Sequence, residues 1–150
     1  HFISNIIRQK ILLESYHLQL KEVKKSDKLF ILFLPDEEIH DLGLTYLQYE
    51  VLKAGYKSIM LGASVPIESL KRFISYNQEV IFISYFTVQP TIEKIPEYLQ
   101  DFYCNLLANN KAKLFILGKQ VEYINNEIQI PEQIILYQSI HQLITDINNN

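Results

Sequence analysis

The sequence predicts a doubly wound α/β fold, and three observations carry that reading. Short runs dominated by Val, Ile, Leu and Phe recur from Lys28 to the C-terminus. Between them lie longer stretches with apolar residues at helical spacing. The joints hold glycine, proline or short polar side chains, which stop one element and start the next. Strands alternating with helices in this way build βαβ units around a parallel sheet.

Residues 1–23 read as a helix. Phe2, Ile3, Ile6, Ile7, Ile11 and Leu12 form a stripe near the 3.6-residue period, continued by Leu18 and Leu20, with Arg8, Lys10, Glu14, Lys21 and Glu22 as polar positions. Such a helix is too apolar to stand alone. Residues 1–24 are therefore expected to be the last helix of a helical bundle, and a chain opening on His1 rather than Met is expected to be a piece of a longer protein. Lys24 to Asp27 reads as a polar linker into a second domain, residues 28–150.

Residues 28–34 form the first strand. A helix follows over 41–54, stopped by Gly55 in the position glycine favours after a helix. Residues 58–61 are the second strand, and 66–76 a helix with Pro66 in its first turn, where a missing N–H costs little. Residues 80–84 are uniformly apolar apart from Ser84, as suits a central strand covered on both faces. A long helix over 91–109 carries Ile92, Ile95, Leu99, Phe102, Leu106 and Leu107. Residues 113–117 are the fourth strand, 118–121 a short helical turn, 134–137 the fifth strand and 139–147 the last helix, with 148–150 a frayed end. Five strands with right-handed connections give a flavodoxin-like, Rossmann-like sheet in the order 2-1-3-4-5.

Composition narrows the function classes. Apolar residues make up 48% of the 150, which excludes a disordered chain. A net charge of −3 argues against a direct grip on nucleic acid, which needs clustered Lys and Arg. The single Cys104 leaves no internal disulfide and fits a reducing, cytoplasmic compartment. No apolar run approaches the ~18 residues of a membrane span, and no signal peptide is visible.

The chemistry gathers at predicted strand ends, where open α/β sheets bind ligands. After the first strand comes Pro35-Asp36-Glu37-Glu38-Ile39-His40-Asp41-Leu42-Gly43. His40 is either an exposed residue at a helix start or a metal ligand. In the second case Glu38 is placed to hold the other ring nitrogen, and Gly43 lets a bulky group approach the backbone. The second strand ends in Ser64 and Val65, a turn that can also wall a cleft. The third ends in Ser84 and Thr87, hydroxyls that either cap the next helix or face the cleft. The fourth ends in Gly118, a tight turn or an open space. Ser84 and Gly118 are expected on one crevice with His40, and a bulky residue at 118 is expected to spare the fold.

These residues carry a family resemblance. Residues 28–150 resemble the cobalamin-binding Rossmann-like domain, whose motif runs Asp-x-His-x-x-Gly, about forty residues, Ser-x-Leu, a shorter interval, then Gly-Gly. Glu38-Ile39-His40-Asp41-Leu42-Gly43 is similar to the first part, Ser84-Tyr85-Phe86 to the second and Gly118-Lys119 to the third. Glu stands for Asp, Phe for Leu and Lys for the second Gly. The resemblance implies that His40 replaces the cofactor's dimethylbenzimidazole as the lower ligand of cobalt. It also implies a nucleotide tail in a slot bordered by Ser84, with room left by Gly118. The Leu61-Gly62-Ala63-Ser64-Val65-Pro66 turn and the opening helix are similar to MerR-type, CarH-like transcriptional regulators, in which His1 resembles the end of a Glu-His pair over the cofactor's upper face.

That subgroup implies a sensory module that binds cobalamin, with adenosylcobalamin expected, oligomerises and acts on DNA through a separate N-terminal domain. The resemblance further implies a response to light through the cofactor's Co–C bond. Two other readings stand beside it. The domain can carry cobalamin for a methyltransferase or mutase, though no substrate site of its own is visible and the chain is not expected to be an enzyme by itself. It can also be a cofactor-free interaction domain. A phosphoreceiver would use Asp36 and Glu37 but needs an Asp where Ser84 stands.

Overall fold

The computed structural model describes residues 2–74, 78–124 and 128–149. Its five strands are β1 (Lys25–Phe33), β2 (Tyr56–Gly62), β3 (Glu79–Tyr85), β4 (Lys113–Leu117) and β5 (Ile134–Leu136). All pairs are parallel, in the order β2-β1-β3-β4-β5. The helices are α1 (Phe2–Gln19), α2 (Leu42–Lys53), α3 (Ile67–Leu70), α4 (Ile95–Phe102) and α5 (Ile140–Asn149). The fold class and strand order are those read from the sequence.

Some element ends differ, each for a local reason. The expected linker joins the sheet: Lys25 pairs with Tyr56, its N–H donates to the Gly55 carbonyl at 3.1 Å, and its ammonium lies 4.5 Å over the Tyr56 ring. The helix expected over 66–76 is one α-helical turn tightening into a 3-10 turn at Lys71–Phe73, and Tyr76 lies outside the described residues. The long helix expected over 91–109 opens as a 3-10 turn and widens into a π turn at Tyr103–Leu107. The supposed frayed end is helix through Asn149, and the Asn148 side chain accepts from Lys25 Nζ at 3.4 Å.

Alternation along β1 divides the core in two. Leu29, Ile31 and Phe33 face α3 and α4, where they pack with Phe82, Phe86, Leu99 and Phe102. Phe30, Leu32 and Leu34 face α2 and α5, where they meet Leu44, Leu47, Val51, Leu143 and Ile147. Both faces of β1 and β3 are buried, which is why these strands read as continuous apolar runs. Phe102 stacks on Phe33 with ring centroids 5.9 Å apart and meets Phe82 edge-on at 5.5 Å. Outside this sandwich α1 lies along α2. Much of its apolar stripe stays open to solvent, with Phe2 78% and Ile3 72% exposed.

No described helix is long and apolar enough to cross a membrane. The aromatic cluster locks α4 to the sheet, so Phe102→Ala is expected to cost about 3–5 kcal/mol of stability. Urea denaturation of the two proteins, compared at equal denaturant slope, measures it.

Candidate functional site

The site starts where β1 runs out. Leu34 still takes part in the sheet, its N–H donating to the Gly62 carbonyl at 2.9 Å and its carbonyl accepting from Val65 N–H at 2.9 Å. Pro35 ends the strand, and a turn closes from Glu38 N–H to the Pro35 carbonyl at 3.0 Å. Glu37 and Ser64 both adopt positive φ, at 65° and 53°. They brace each other's loops: Glu37 N–H donates to Ser64 Oγ at 3.1 Å, and Ser64 N–H donates to the Glu38 carbonyl at 3.2 Å. The turns after β1 and β2 are thus zipped together.

This turn drives the Glu38 side chain inward, where it is fully buried. Its Oε1 accepts from the N–H groups of Ile39 at 2.9 Å and His40 at 3.0 Å, and lies 2.6 Å from His40 Nδ1. Its Oε2 accepts from three successive N–H groups of the loop after β3: Thr87 at 3.2 Å, Val88 at 2.7 Å and Gln89 at 2.8 Å. Burial works to raise the Glu38 pKa. The backbone donors of Gln89, Val88 and His40, with the His40 ring, outweigh it and bring the pKa to about 2. Glu38 is therefore a carboxylate at neutral pH and can only accept. Nδ1 must carry the proton it shares, which leaves the Nε2 lone pair of neutral His40 free. The imidazole is 55% exposed.

Two contacts brace this core. Gln120 Nε2 donates to the Val88 carbonyl at 3.0 Å and supports the amide loop from the β4 side. Arg8 of α1 forms an ion pair with Asp41, the residue after His40, and so ties the N-terminal helix to the histidine loop.

The other residues singled out in the sequence are distributed differently from expectation. Ser64 is exposed in the turn described, while Val65 is buried in the core toward α3 and α4 and is not a cleft wall. Thr87 joins the site through its backbone N–H, and among the described residues its hydroxyl makes no hydrogen bond. Ser84 is level with Phe33 and Ile116 in the sheet, so its side chain lies on the α3–α4 face, fully buried and with Oγ unpartnered. Gly43 begins α2 on the opposite face, and there the bulky group is the chain's own Tyr85. A Cβ at Gly43 would lie 2.9 Å from Tyr85 Cζ. Ser84 and Gly118 therefore do not open onto a shared crevice with His40. His1 lies outside the described residues.

Gly118 needs a correction of its own. It has φ 109°, and a Cβ there would fall 2.3 Å from the Phe86 carbonyl oxygen and 2.7 Å from Phe86 N. The missing side chain makes room for main chain, not for a ligand. That main chain is fixed, Phe86 N–H donating to Leu117 at 2.7 Å and the Phe86 carbonyl accepting from Gln120 N–H at 3.0 Å. Lys119 beside it is exposed.

A cleft of about 910 Å³ lies on the other side of the β1 end, and His40 is not among its lining residues. Asp36, Glu37, Glu68, Glu97 and Asp101 line it against Lys94, with the Tyr98 ring at its wall. Among the described residues no group of three or more His, Cys, Asp or Glu side chains is arranged to hold a metal ion.

Sequence reasoning missed Tyr85, Arg8 and the three amides that hold Glu38. The amides carry no side-chain signal. Tyr85 could have been found from the strand's alternation, which places it opposite the first turn of α2.

No family model matches the chain, and no curated protein matches it. Solved structures do match its fold. The monomethylamine corrinoid protein of Methanosarcina barkeri superposes with a TM-score of 0.69 at 16% identity, covering 93% of this chain and 64% of that one. A cobalamin-binding protein from Desulfitobacterium hafniense DCB-2 superposes with a TM-score of 0.63 at 15% identity, covering 99% of this chain and 71% of that one. The chain thus spans less than two thirds of the length of the first. At these identities the likeness is one of fold.

Two outcomes follow from the site. Because the Glu38 pKa is depressed when folded, its contribution to stability is present above the ordinary carboxylate range and is lost as pH falls toward about 2. Glu38→Gln should cost on the order of 3 kcal/mol at pH 7, and the gap between the two proteins should narrow steadily below about pH 4.5. Thermal melts across that range check both. Gly118→Ala, harmless on the sequence reading, should instead lower stability by about 2 kcal/mol or more, through backbone strain and overpacking against main chain. Chemical denaturation gives the number.

Proposed function

We propose that the chain binds a corrinoid, with His40 Nε2 as the lower axial ligand of its cobalt. One observation carries the reading: a buried, ionised Glu38 fixes the Nδ1 proton of an exposed histidine and leaves Nε2 free. Support comes from the fold, which is that of two proteins whose names state corrinoid or cobalamin binding. The donor set suits this group, because a macrocycle brings four of the metal's ligands itself and asks the protein for one nitrogen. When bound, the corrinoid supplies the Co–C chemistry. The chain's residues orient the imidazole, hold its tautomer and fix the surrounding loops.

The residues expected along a nucleotide tail fit less well. Ser84 is sealed in the core, Gly118 is backed by main chain and Gly43 is covered by Tyr85. Cobalt ligation fits this chain; an open tail slot does not.

Within that reading the role proposed is sensory and not enzymatic. The module would belong to a MerR-type, CarH-like regulator, taking adenosylcobalamin, assembling as a homo-oligomer and reaching DNA through another domain. The observation in favour is the Arg8–Asp41 pair, which joins the exposed α1 to the ligand loop. A corrinoid carrier serving a methyltransferase is the second reading, favoured by the name of the Methanosarcina protein.

The test is titration with adenosylcobalamin, followed by absorption. His40→Ala should abolish the histidine-ligated spectrum and weaken binding at least about tenfold, as loss of ligand-shell residues does, with the apo protein still folded but about 1–3 kcal/mol less stable for want of the Glu38 contact. Equal spectra and affinities for the two proteins would remove His40 from the cobalt. Size-exclusion in darkness and after green light separates a light-sensing regulator, whose oligomer should change, from a carrier.

A further inference from the structure

The two glycines that the sequence offered as open space, Gly43 and Gly118, are closed in two different ways. At Gly118 the neighbour is Phe86 main chain, fixed by hydrogen bonds to Leu117 and Gln120. It cannot yield without breaking the sheet end. At Gly43, three residues beyond His40, the neighbour is a side chain. Three atoms of the Tyr85 ring would lie 2.9, 3.1 and 3.2 Å from a Cβ placed there, so the ring lies against the bare backbone of the first turn of α2. Tyr85 is only half-buried. Its hydroxyl makes no hydrogen bond that would hold it, among the described residues. Of these two walls, the ring is the one that rotation about side-chain bonds can move.

Register fixes which way it points. Tyr85 is level with Leu117, and both belong to the core on the α2 side of the sheet. The ring therefore fills the gap between the end of β3 and the start of α2, on the helix that His40 introduces. A group reaching from a metal complex at His40 into this gap has to displace that ring.

We propose that Tyr85 is a specificity-determining residue that selects corrinoids by their lower face. This rests on the His40 reading above. A corrinoid without a nucleotide tail can be ligated by Nε2 with the ring in place. One that carries the tail must drive the ring from Gly43, or leave the tail outside, and is bound more weakly. Discrimination of this kind works by a clash against the disfavoured ligand.

The experiment titrates the parent chain, Tyr85→Ala, Tyr85→Val and Tyr85→Phe with aquacobinamide and with hydroxocobalamin, reading absorption, and repeats both titrations on His40→Ala. Cobinamide should bind the parent chain more tightly than cobalamin. Tyr85→Ala and Tyr85→Val should improve cobalamin binding relative to cobinamide by about tenfold or more. Tyr85→Phe, which keeps the ring, should behave as the parent. Thermal melts identify any variant that does not fold; the valine variant guards against loss of the alanine one. An unchanged cobalamin-to-cobinamide ratio in folded Ala or Val variants overturns the proposal while His40-dependent binding keeps the functional reading. If neither corrinoid gives a His40-dependent spectrum with any variant, both fall.

Discussion

The structure of this site depends on one buried carboxylate. Glu38 carries a full negative charge in a place without solvent, and among the described residues no lysine or arginine forms an ion pair with it. Its counter-charge is distributed over backbone amide dipoles and one imidazole. Leaving any of those donors unpaired at this depth would cost about 1–3 kcal/mol each, so the carboxylate, the amide loop and the histidine form only as a set. The length of the side chain matters. Aspartate would stop about 1.5 Å short, and the contacts to Thr87, Val88 and Gln89 need that reach.

Sheet order makes the arrangement possible. In the β2-β1-β3-β4-β5 order the end of β1 is flanked by the ends of β2 and β3. The loop after β1 can therefore be zipped to the β2 turn through Glu37 and Ser64, and bolted to the β3 loop through Glu38. A histidine on that loop is oriented by three strands although it belongs to one.

The sheet was legible because its signals are local. Leu29 to Leu34 and Val80 to Ile83 are apolar without interruption, and only a strand covered on both faces requires that. Element ends were less legible: Lys25 to Asp27 look like a solvated linker, and only the Tyr56 ring and the Gly55 carbonyl across the sheet draw Lys25 into β1. At the site, the Glu38–His40 pair could be read because both side chains lie in one short turn. Gly118 and Gly43 were misjudged for a common reason. A small residue at a strand end signals close approach, and sequence does not say whether the approaching group is a ligand, a side chain or main chain. Here it is the Phe86 main chain at Gly118 and the Tyr85 ring at Gly43. The Thr87–Gln89 amides were invisible because every residue but proline has one.

The Arg8–Asp41 pair has a thermodynamic consequence larger than its own strength. Partly exposed, it contributes little to stability. Its effect is to put α1 and the histidine loop in one mechanical unit, with α2 as the shared support. On the proposed reading, a partner gripping the open apolar stripe of α1 and a corrinoid held at His40 would act on one connected unit. Any free energy by which the first alters the second is returned in equal measure. A weak surface ion pair would in that case be an exchange point, through which occupancy at one end of the molecule is felt as affinity at the other.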